Sequence, residues 1–392
     1  LEIIRPVLSK SFFKTEKQLS GGRCSLFICS PAGAGILMDH HFYSLKVKDV
    51  RRESPDALSL VFEPHPAFRE YKAGQFLTIK ARVEGEEIRR AYSLCSSPLK
   101  SEDCCITVKK VEGGKMSSWL VNNTNPGMML EVMPPLGSFV YHPHSSKKRW
   151  FMLFAAGSGI TPIFSILKTV LLAEPQSFIS LLFGNRCQED IIYREELQKL
   201  VDAYPSRLKV IHVLSQPSEN WFGERGRIDE QKIMQLIEDL KPVSPFEETQ
   251  VFMCGPSGMM DSITPVLLSQ GVKQDCLHRE RFSKPVEEIM AESEKEMSDE
   301  GTDTRFRILL DGKWFEFTAP RKTSILDAAL DAGLDMPYSC QSGLCTACRG
   351  KCTSGKVRME ESDGLSDEEL QEGYVLTCVG HATSPEVEIQ IG

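Results

Sequence analysis

Pro337-Tyr338-Ser339-Cys340-Gln341-Ser342-Gly343-Leu344-Cys345-Thr346-Ala347-Cys348 decides how this 392-residue chain is read. Four residues separate Cys340 from Cys345, two separate Cys345 from Cys348, and Cys378 follows after 29 more, just past the apolar run Tyr374-Val375-Leu376. A tight loop eased by Gly343 lets three thiolates converge from one segment, while the fourth arrives from a separate strand. That donor set suits a [2Fe-2S] centre, with Cys340, Cys345, Cys348 and Cys378 as metal ligands. A zinc site is the competing use of four cysteines. It ordinarily takes two C-x2-C knuckles, and only Cys345 and Cys348 form one. Cys352 reads as a bystander in the following strand.

Upstream of this loop, Phe306, Ile308 and Leu310 alternate, Asp311-Gly312 predicts a hairpin turn, and Phe315 and Phe317 resume the alternation. Thr323 or Ser324 then caps a helix with Ile325, Ala328, Ala329 and Ala332 on one face and Gly333 as its stop. These signals predict an α+β domain over 304–392. Before it, 284–303 is rich in Glu, Asp, Ser, Lys and Met and reads as an acidic linker. Val286, Ile289 and Met290 have the spacing of a short amphipathic helix within it.

Over 148–283 strands alternate with helices. Phe151 to Ala155, Ile179 to Phe183, Lys209 to Leu214 and Gln250 to Cys254 are buried-strand runs, which predicts an α/β doubly wound parallel sheet. Over 39–147 the runs are short and broken by Pro, Gly and charge, as in Ser59 to Phe62, Gln75 to Ile79 and Cys105 to Val108. That spacing predicts an antiparallel β-barrel. The stretch 1–38 shows no clean period, and Met38 reads as a natural start. We expect 1–38 to be a disordered or extraneous extension.

Charge is uneven. Residues 284–392 carry 22 acidic and 11 basic side chains, whereas 1–283 sum to +3. A net charge of -8 gives no general attraction to phosphate backbones, so no nucleic-acid partner is expected. Thirteen cysteines, odd in number and scattered, suit a reducing cytoplasm better than a disulfide framework. The uncharged stretch Trp150 to Leu167 is interrupted by Gly157-Ser158-Gly159 and Pro162, as in a strand-loop-helix unit, so no membrane span is expected.

Three further segments carry chemistry. Arg90-Ala91-Tyr92-Ser93 lies on a barrel strand, where alternation puts Arg90 and Tyr92 on one face, a cation and an aromatic suited to a phosphate and a flat ring. Gly113-Gly114-Lys115-Met116-Ser117 reads as a glycine turn entering a helix whose free N–H groups suit a pyrophosphate. Phe151 to Ala156 followed by Gly157-Ser158-Gly159-Ile160-Thr161-Pro162 is a buried strand, a tight turn and a helix start, lacking the third Gly of the usual dinucleotide fingerprint.

With Pro135-Leu136-Gly137-Ser138-Phe139 these segments occur in the order that resembles the ferredoxin-NADP reductase family, whose Gly-x-Gly-x-x-Pro pattern the chain matches. The tail resembles plant-type ferredoxins, a β-grasp fold. The domain order resembles reductase components of bacterial multicomponent oxygenases, most closely those of the phenylacetyl-CoA epoxidase type used in phenylacetate catabolism. Gly184-Asn185-Arg186, Cys254-Gly255-Pro256 and the tail around Gly373-Tyr374-Val375-Leu376-Thr377-Cys378 carry that last likeness.

The resemblance implies FAD, with FMN as the alternative flavin, and NADPH or NADH. It implies flavin contacts at Arg90, Ala91, Tyr92 and Ser93 and pyrophosphate contacts at Gly114, Lys115, Met116 and Ser117. Nucleotide contacts fall to Gly157, Ser158, Gly159, Thr161, Pro162, Asn185, Arg186, Cys254, Gly255 and Pro256, with Arg186 meeting a 2'-phosphate. Cys254, Glu280 and Phe282 are implied beside the reacting rings, although the chain continues past Phe282 where simpler reductases end on a covering aromatic.

The expected activity is an NAD(P)H-dependent flavin and iron-sulfur oxidoreductase. A nicotinamide gives two electrons at once and a cluster accepts one, so a flavin must stand between them. The expected partner is a terminal oxygenase or similar acceptor protein; a hydroxylase or desaturase reductase is the alternative, and a cluster-based redox sensor the rival from another class. Glu360, Glu361, Asp363, Asp367, Glu368, Glu369 and Glu372 form a candidate docking face.

Overall fold

The computed structural model describes residues 41–99, 102–242, 247–282 and, apart from 342, 344–345, 360–361, 363 and 366, residues 303–391. The expected extension 1–38, nearly all of the expected linker, the expected ligand Cys345 and the acids Glu360, Glu361 and Asp363 lie outside the described residues.

The first unit is built from β1 (Tyr43–Ser54), β2 (Ala57–Phe62), β3 (Phe76–Val83), β4 (Glu86–Ser93), β5 (Cys105–Lys109), α1 (Lys115–Asn123) and β6 (Met129–Leu136). Its sheet runs β4-β3-β6-β1-β2-β5, every neighbouring pair antiparallel. An isolated bridge between Leu94 and Ile106 brings the two edges together, so the sheet curls into the expected barrel. Glu84 and Gly85, at φ 52° and 89°, make the two-residue turn between β3 and β4, a geometry that glycine relieves. Leu45, Leu60, Leu77 and Ile106 fill the interior, joined by Met116 and Leu120 of α1.

The second unit comprises β7 (Arg149–Ala156), α2 (Ile160–Ala173), β8 (Phe178–Asn185), α3 (Arg194–Ala203), β9 (Leu208–Leu214), β10 (Glu224–Arg225), α4 (Glu230–Leu240), β11 (Glu248–Cys254), α5 (Ser257–Ser269) and β12 (Leu277–Glu280). The order β10-β9-β8-β7-β11-β12 is parallel throughout. After Arg149, strand β7 is apolar because both faces are covered: Phe151, Leu153 and Ala155 enter one core, Trp150, Met152 and Phe154 the other. The first of these cores also takes Ala73, Phe139 and Tyr141 from the barrel side. Ser165 Oγ donates to the Ser96 carbonyl at 2.6 Å, and Lys168 pairs with Glu102 at 2.6 Å, so barrel and parallel sheet share one packed boundary.

The third unit has β13 (Asp303–Leu310), β14 (Lys313–Pro320), β15 (Arg349–Ser354), β16 (Val357–Met359), β17 (Tyr374–Leu376), β18 (Gly380–Ala382) and β19 (Glu386–Ile391). The order β14-β13-β19-β15-β17 includes one parallel pair, β13 with β19, and β16 pairs with β18. Strand β13 begins at Asp303, which pairs with Pro320, one residue before the expected start of the domain at 304. Asp311 and Gly312, at φ 50° and 75°, form the hairpin turn. Ser324 is the cap of the helix Ile325–Asp331, its side chain accepting from the Asp327 N–H. Trp150 to Leu167, weighed above as a span, is β7 and the start of α2, and no helix among the described residues is long and apolar enough to cross a membrane.

Candidate functional site

Three of the described cysteines meet at the edge of the third unit. Cys340 and Cys348 are buried, and Cys378 lies in the turn after β17. The Cys378 thiol is hydrogen-bonded to Cys340 and to Cys348, which pushes its own proton affinity up. The same contact with Cys378 pulls the Cys348 thiol below its ordinary value. The loop that carries Cys340 turns through Gln341 and Gly343, at φ 54° and 71°. Thr377 ties the two cysteine segments together, its N–H and Oγ both donating to the Cys348 carbonyl, at 3.1 and 3.0 Å. Three convergent sulfurs in a loop held by backbone hydrogen bonds fit an iron-sulfur centre as donors. Cys352 is turned away: its sulfur donates to the Ser354 carbonyl at 3.4 Å.

Helix ends distinguish the anion-binding candidates. α1, α2 and α5 start at Gly114, Gly159 and Pro256 with no side-chain cap and no acidic residue in the first turn. α3 carries Glu195 and Glu196 in its first turn, α4 is capped by Asp229, and the helix after Ser324 holds Asp327. Uncapped N–H groups with the positive end of the helix dipole suit phosphate, and they occur at the three starts that sequence motifs single out. Around α1, the Met116 side chain is a core residue and Ser117 Oγ accepts from the Val111 N–H at 3.1 Å, so what these two offer an anion is backbone N–H. The Lys115 amine pairs with Glu86 at 2.8 Å.

On β4, the register sets Arg90 opposite Ile79 and Tyr92 opposite Leu77, on the face shared with the barrel core, and burial pushes the Tyr92 phenol up. Arg90 is exposed, with its guanidinium donating to the Arg89 carbonyl at 2.7 Å, and Ser93 is buried. A free-facing cation, a half-buried aromatic and an uncapped helix start fit a flavin dinucleotide.

In the parallel sheet, Cys254 ends β11 directly beside Glu280 at the end of β12. Burial, reinforced by the Glu280 charge, pushes the Cys254 thiol well above its ordinary value, so it stays protonated. Thr161 Oγ donates to the Ser158 carbonyl at 2.9 Å, bracing the glycine turn. A Cβ on Gly255 would meet Met259 and Ala156 at 2.8 and 3.1 Å, so the ends of β7 and β11 approach this closely only through glycine. Both amide atoms of Asn185 are buried without a hydrogen-bond partner at the end of β8, an orphaned pair that fits a missing polar ligand. Arg186 next to it is exposed but committed to Asp190, Nε to carboxylate at 3.0 Å. Phe282, implied beside the reacting rings, is 38% exposed.

Sequence reasoning missed the residues that join the cluster loop to the barrel. Cys340 and Ala347 share one apolar cluster with Phe76, Met133 and Leu136. Thr78 and Ser339 hydroxyls hydrogen-bond at 2.8 Å. Only the doubled arginine Arg89-Arg90 hinted at a second role on this strand. Of the candidate docking acids, Glu369 pairs with Arg349 and Glu372 with Lys351, so that surface is partly neutralised.

Known families match each of the three units. An oxidoreductase FAD-binding domain matches residues 44–141, an oxidoreductase NAD-binding domain 153–264, and a 2Fe-2S iron-sulfur cluster binding domain 308–383. A component of the 1,2-phenylacetyl-CoA epoxidase from Escherichia coli (strain K12) is 38% identical over 342 residues, 86% of this chain and 94% of that protein. The ferredoxin reductase component of 3-ketosteroid-9-alpha-monooxygenase from Rhodococcus rhodochrous is 34% identical, covering 88% of this chain and 96% of its own. Phthalate dioxygenase reductase, described as a modular structure for electron transfer from pyridine nucleotides to [2Fe-2S], superposes with a TM-score of 0.57 at 25% identity over 89% of this chain and 98% of its own. The chain belongs to the family of oxygenase reductases that pass electrons from NAD(P)H through FAD to a [2Fe-2S] cluster.

Proposed function

We propose that this protein is the reductase component of a terminal oxygenase of the phenylacetyl-CoA epoxidase type, working in the cytoplasm. The observation that carries the choice of partner is the 38% identity that spans 94% of the E. coli epoxidase component, all three domains included. A cytoplasmic setting suits thiols that must stay reduced to hold iron.

FAD, when bound, turns the two electrons of a nicotinamide hydride into single electrons that a cluster accepts. The residues divide the rest of the work. Arg90 neutralises a flavin phosphate, Tyr92 and Ser93 line the flavin, Ala91 contributes backbone, and the first N–H groups of α1, at Lys115, Met116 and Ser117 after Gly114, take the pyrophosphate. Gly157, Ser158 and Gly159 let the NAD(P)H pyrophosphate approach α2, whose start supplies an N–H group at Thr161 and preset helical geometry at Pro162. Asn185 and Arg186 hold the adenosine end, and Gly255 and Pro256 open α5 towards the nicotinamide. Cys254, kept as a neutral thiol by burial and by Glu280, would place an uncharged group beside the nicotinamide. Cys340, Cys345, Cys348 and Cys378 hold the cluster.

The test is anaerobic mixing of the flavin- and cluster-loaded protein with NADPH and NADH, followed by coupling to the oxygenase components of phenylacetyl-CoA epoxidase. Flavin bleaching, then cluster bleaching, then epoxide formation is expected. Bleaching without epoxide assigns the protein to another oxygenase, and no bleaching with either nucleotide ends the reductase reading.

A further inference from the structure

Three consecutive residues of the cluster loop each touch the barrel. Arg89 Nη1 donates to the Tyr338 carbonyl at 3.3 Å, and its guanidinium carbon lies over two rings, 4.0 Å from the Tyr338 centroid and 5.1 Å from that of Phe42. Its other arm is held by Glu87 at 3.0 Å, and Lys80 covers the Phe42 ring at 4.6 Å. Ser339 meets Thr78 at 2.8 Å, both residues 1% exposed. Cys340 then packs on Phe76, Met133 and Leu136, with Ala91 against the same cluster.

The register explains why these residues act together. Thr78 stands opposite Ala91 and Lys80 opposite Arg89, so all four share one face of the β3-β4 pair, while Arg90 and Tyr92 take the other. The strand with the flavin motif is therefore also the dock of the cluster loop. A guanidinium held over aromatic rings and hydrogen-bonded both to a carbonyl and to a carboxylate is fixed at several points, which a single flexible ammonium is not.

Resting on the reductase reading above, we propose that Arg89, supported by Thr78, is a positioning residue that docks the cluster loop on the flavin-binding strand and thereby sets the rate of electron passage from flavin to cluster. In that step one electron lost by the reduced flavin is gained by the cluster. The second follows once the cluster has passed the first to the acceptor protein, and the proton that came with the hydride leaves to solvent.

Full-length, cofactor-loaded protein is compared with Arg89→Ala, Arg89→Lys and the double variant Arg89→Ala/Thr78→Val in two measurements. Hydrogen exchange of the backbone amides in 76–80 and 338–341, read without nucleotide, is expected to speed up in Arg89→Ala and further in the double variant. In anaerobic stopped flow with NADPH, flavin bleaching is expected to keep its rate while cluster bleaching slows about tenfold in Arg89→Ala, with Arg89→Lys between the two. Exchange and cluster bleaching that match the unmodified protein in the double variant overturn the proposal alone. Flavin that NADPH fails to bleach in the unmodified protein overturns the reductase reading and the proposal with it.

Discussion

Replacing Gly159 with Ala tests the nucleotide crevice most directly. Gly159 begins α2 directly beneath the end of β11, and a Cβ there would lie 2.5 Å from the Cys254 carbonyl carbon and 3.0 Å from the Gly255 nitrogen, with the Cys254 oxygen nearer still. Carbon contacts are comfortable at about 3.5 Å, so the two segments must part by about 1 Å. Neither can yield by turning a side chain, because every atom in the way is backbone. Overpacking of this kind costs about 1–3 kcal/mol, which a protein of ordinary stability survives folded. The functional cost is larger, because the displaced residues are the uncapped α2 start and the Cys254 strand end, and a shift of about 1 Å between reacting partners slows chemistry about a hundredfold. Anaerobic stopped flow with NADPH should therefore show flavin bleaching slowed by about that factor. Chemical reduction of the same variant by dithionite should bleach flavin and cluster as in the unmodified protein. Unchanged hydride transfer in a folded Gly159→Ala variant would refute the assignment of this turn to the nucleotide.

Other consequences are open to measurement. Changing Cys378 to Ser removes the thiol that both Cys340 and Cys348 contact; the cluster absorbance should be lost while NADPH still bleaches the flavin, and a retained cluster would count against Cys378 as a ligand. The buried pair of Arg149 and Glu174, to which Tyr141 also donates at 2.7 Å, predicts that Glu174→Ala costs about 3–5 kcal/mol in denaturant unfolding, because the arginine is left buried without its counter-charge. Burial works against ionisation of Glu174, yet hydrogen bonds from Arg149, Ser177 and Tyr141 hold its carboxyl below 4.5, so this contribution is present above pH 4.5 and is lost as the pH falls further. Burial pushes the His212 imidazole down to about 4 from 6.5, so the fold binds its neutral form. The stability it contributes is whole above pH 6.5 and falls between pH 6.5 and 4, by at most about 3 kcal/mol; His212→Phe should flatten that slope, and an unaltered slope would locate the titration elsewhere.

Much of this molecule was legible one segment at a time. The cysteine spacing, the Asp311-Gly312 turn, the Ser324 cap and the Gly157-Ser158-Gly159 turn each depend on a few neighbouring residues, whose conformational preferences travel with them into any fold. The two apolar faces of β7 were likewise written as an unbroken run, because a strand covered on both sides has no polar alternation to show.

What pairs across distance was not legible. Cys254 meets Glu280 only because β11 and β12 align in one parallel register, and Met116 leaves a motif rich in phosphate-binding cues to fill the barrel core. The commitment of Arg186 to Asp190 depends on rotamers rather than composition. The cysteine loop Pro337 to Cys348, with Cys378, was legible as a candidate donor set, since four thiols at that spacing have few other uses. Its attachment to β3 and β4 through Arg89, Thr78 and Phe76 required the tertiary structure, because residues some 250 positions apart in the chain come together only when packing makes their surfaces complementary, and no local preference encodes that.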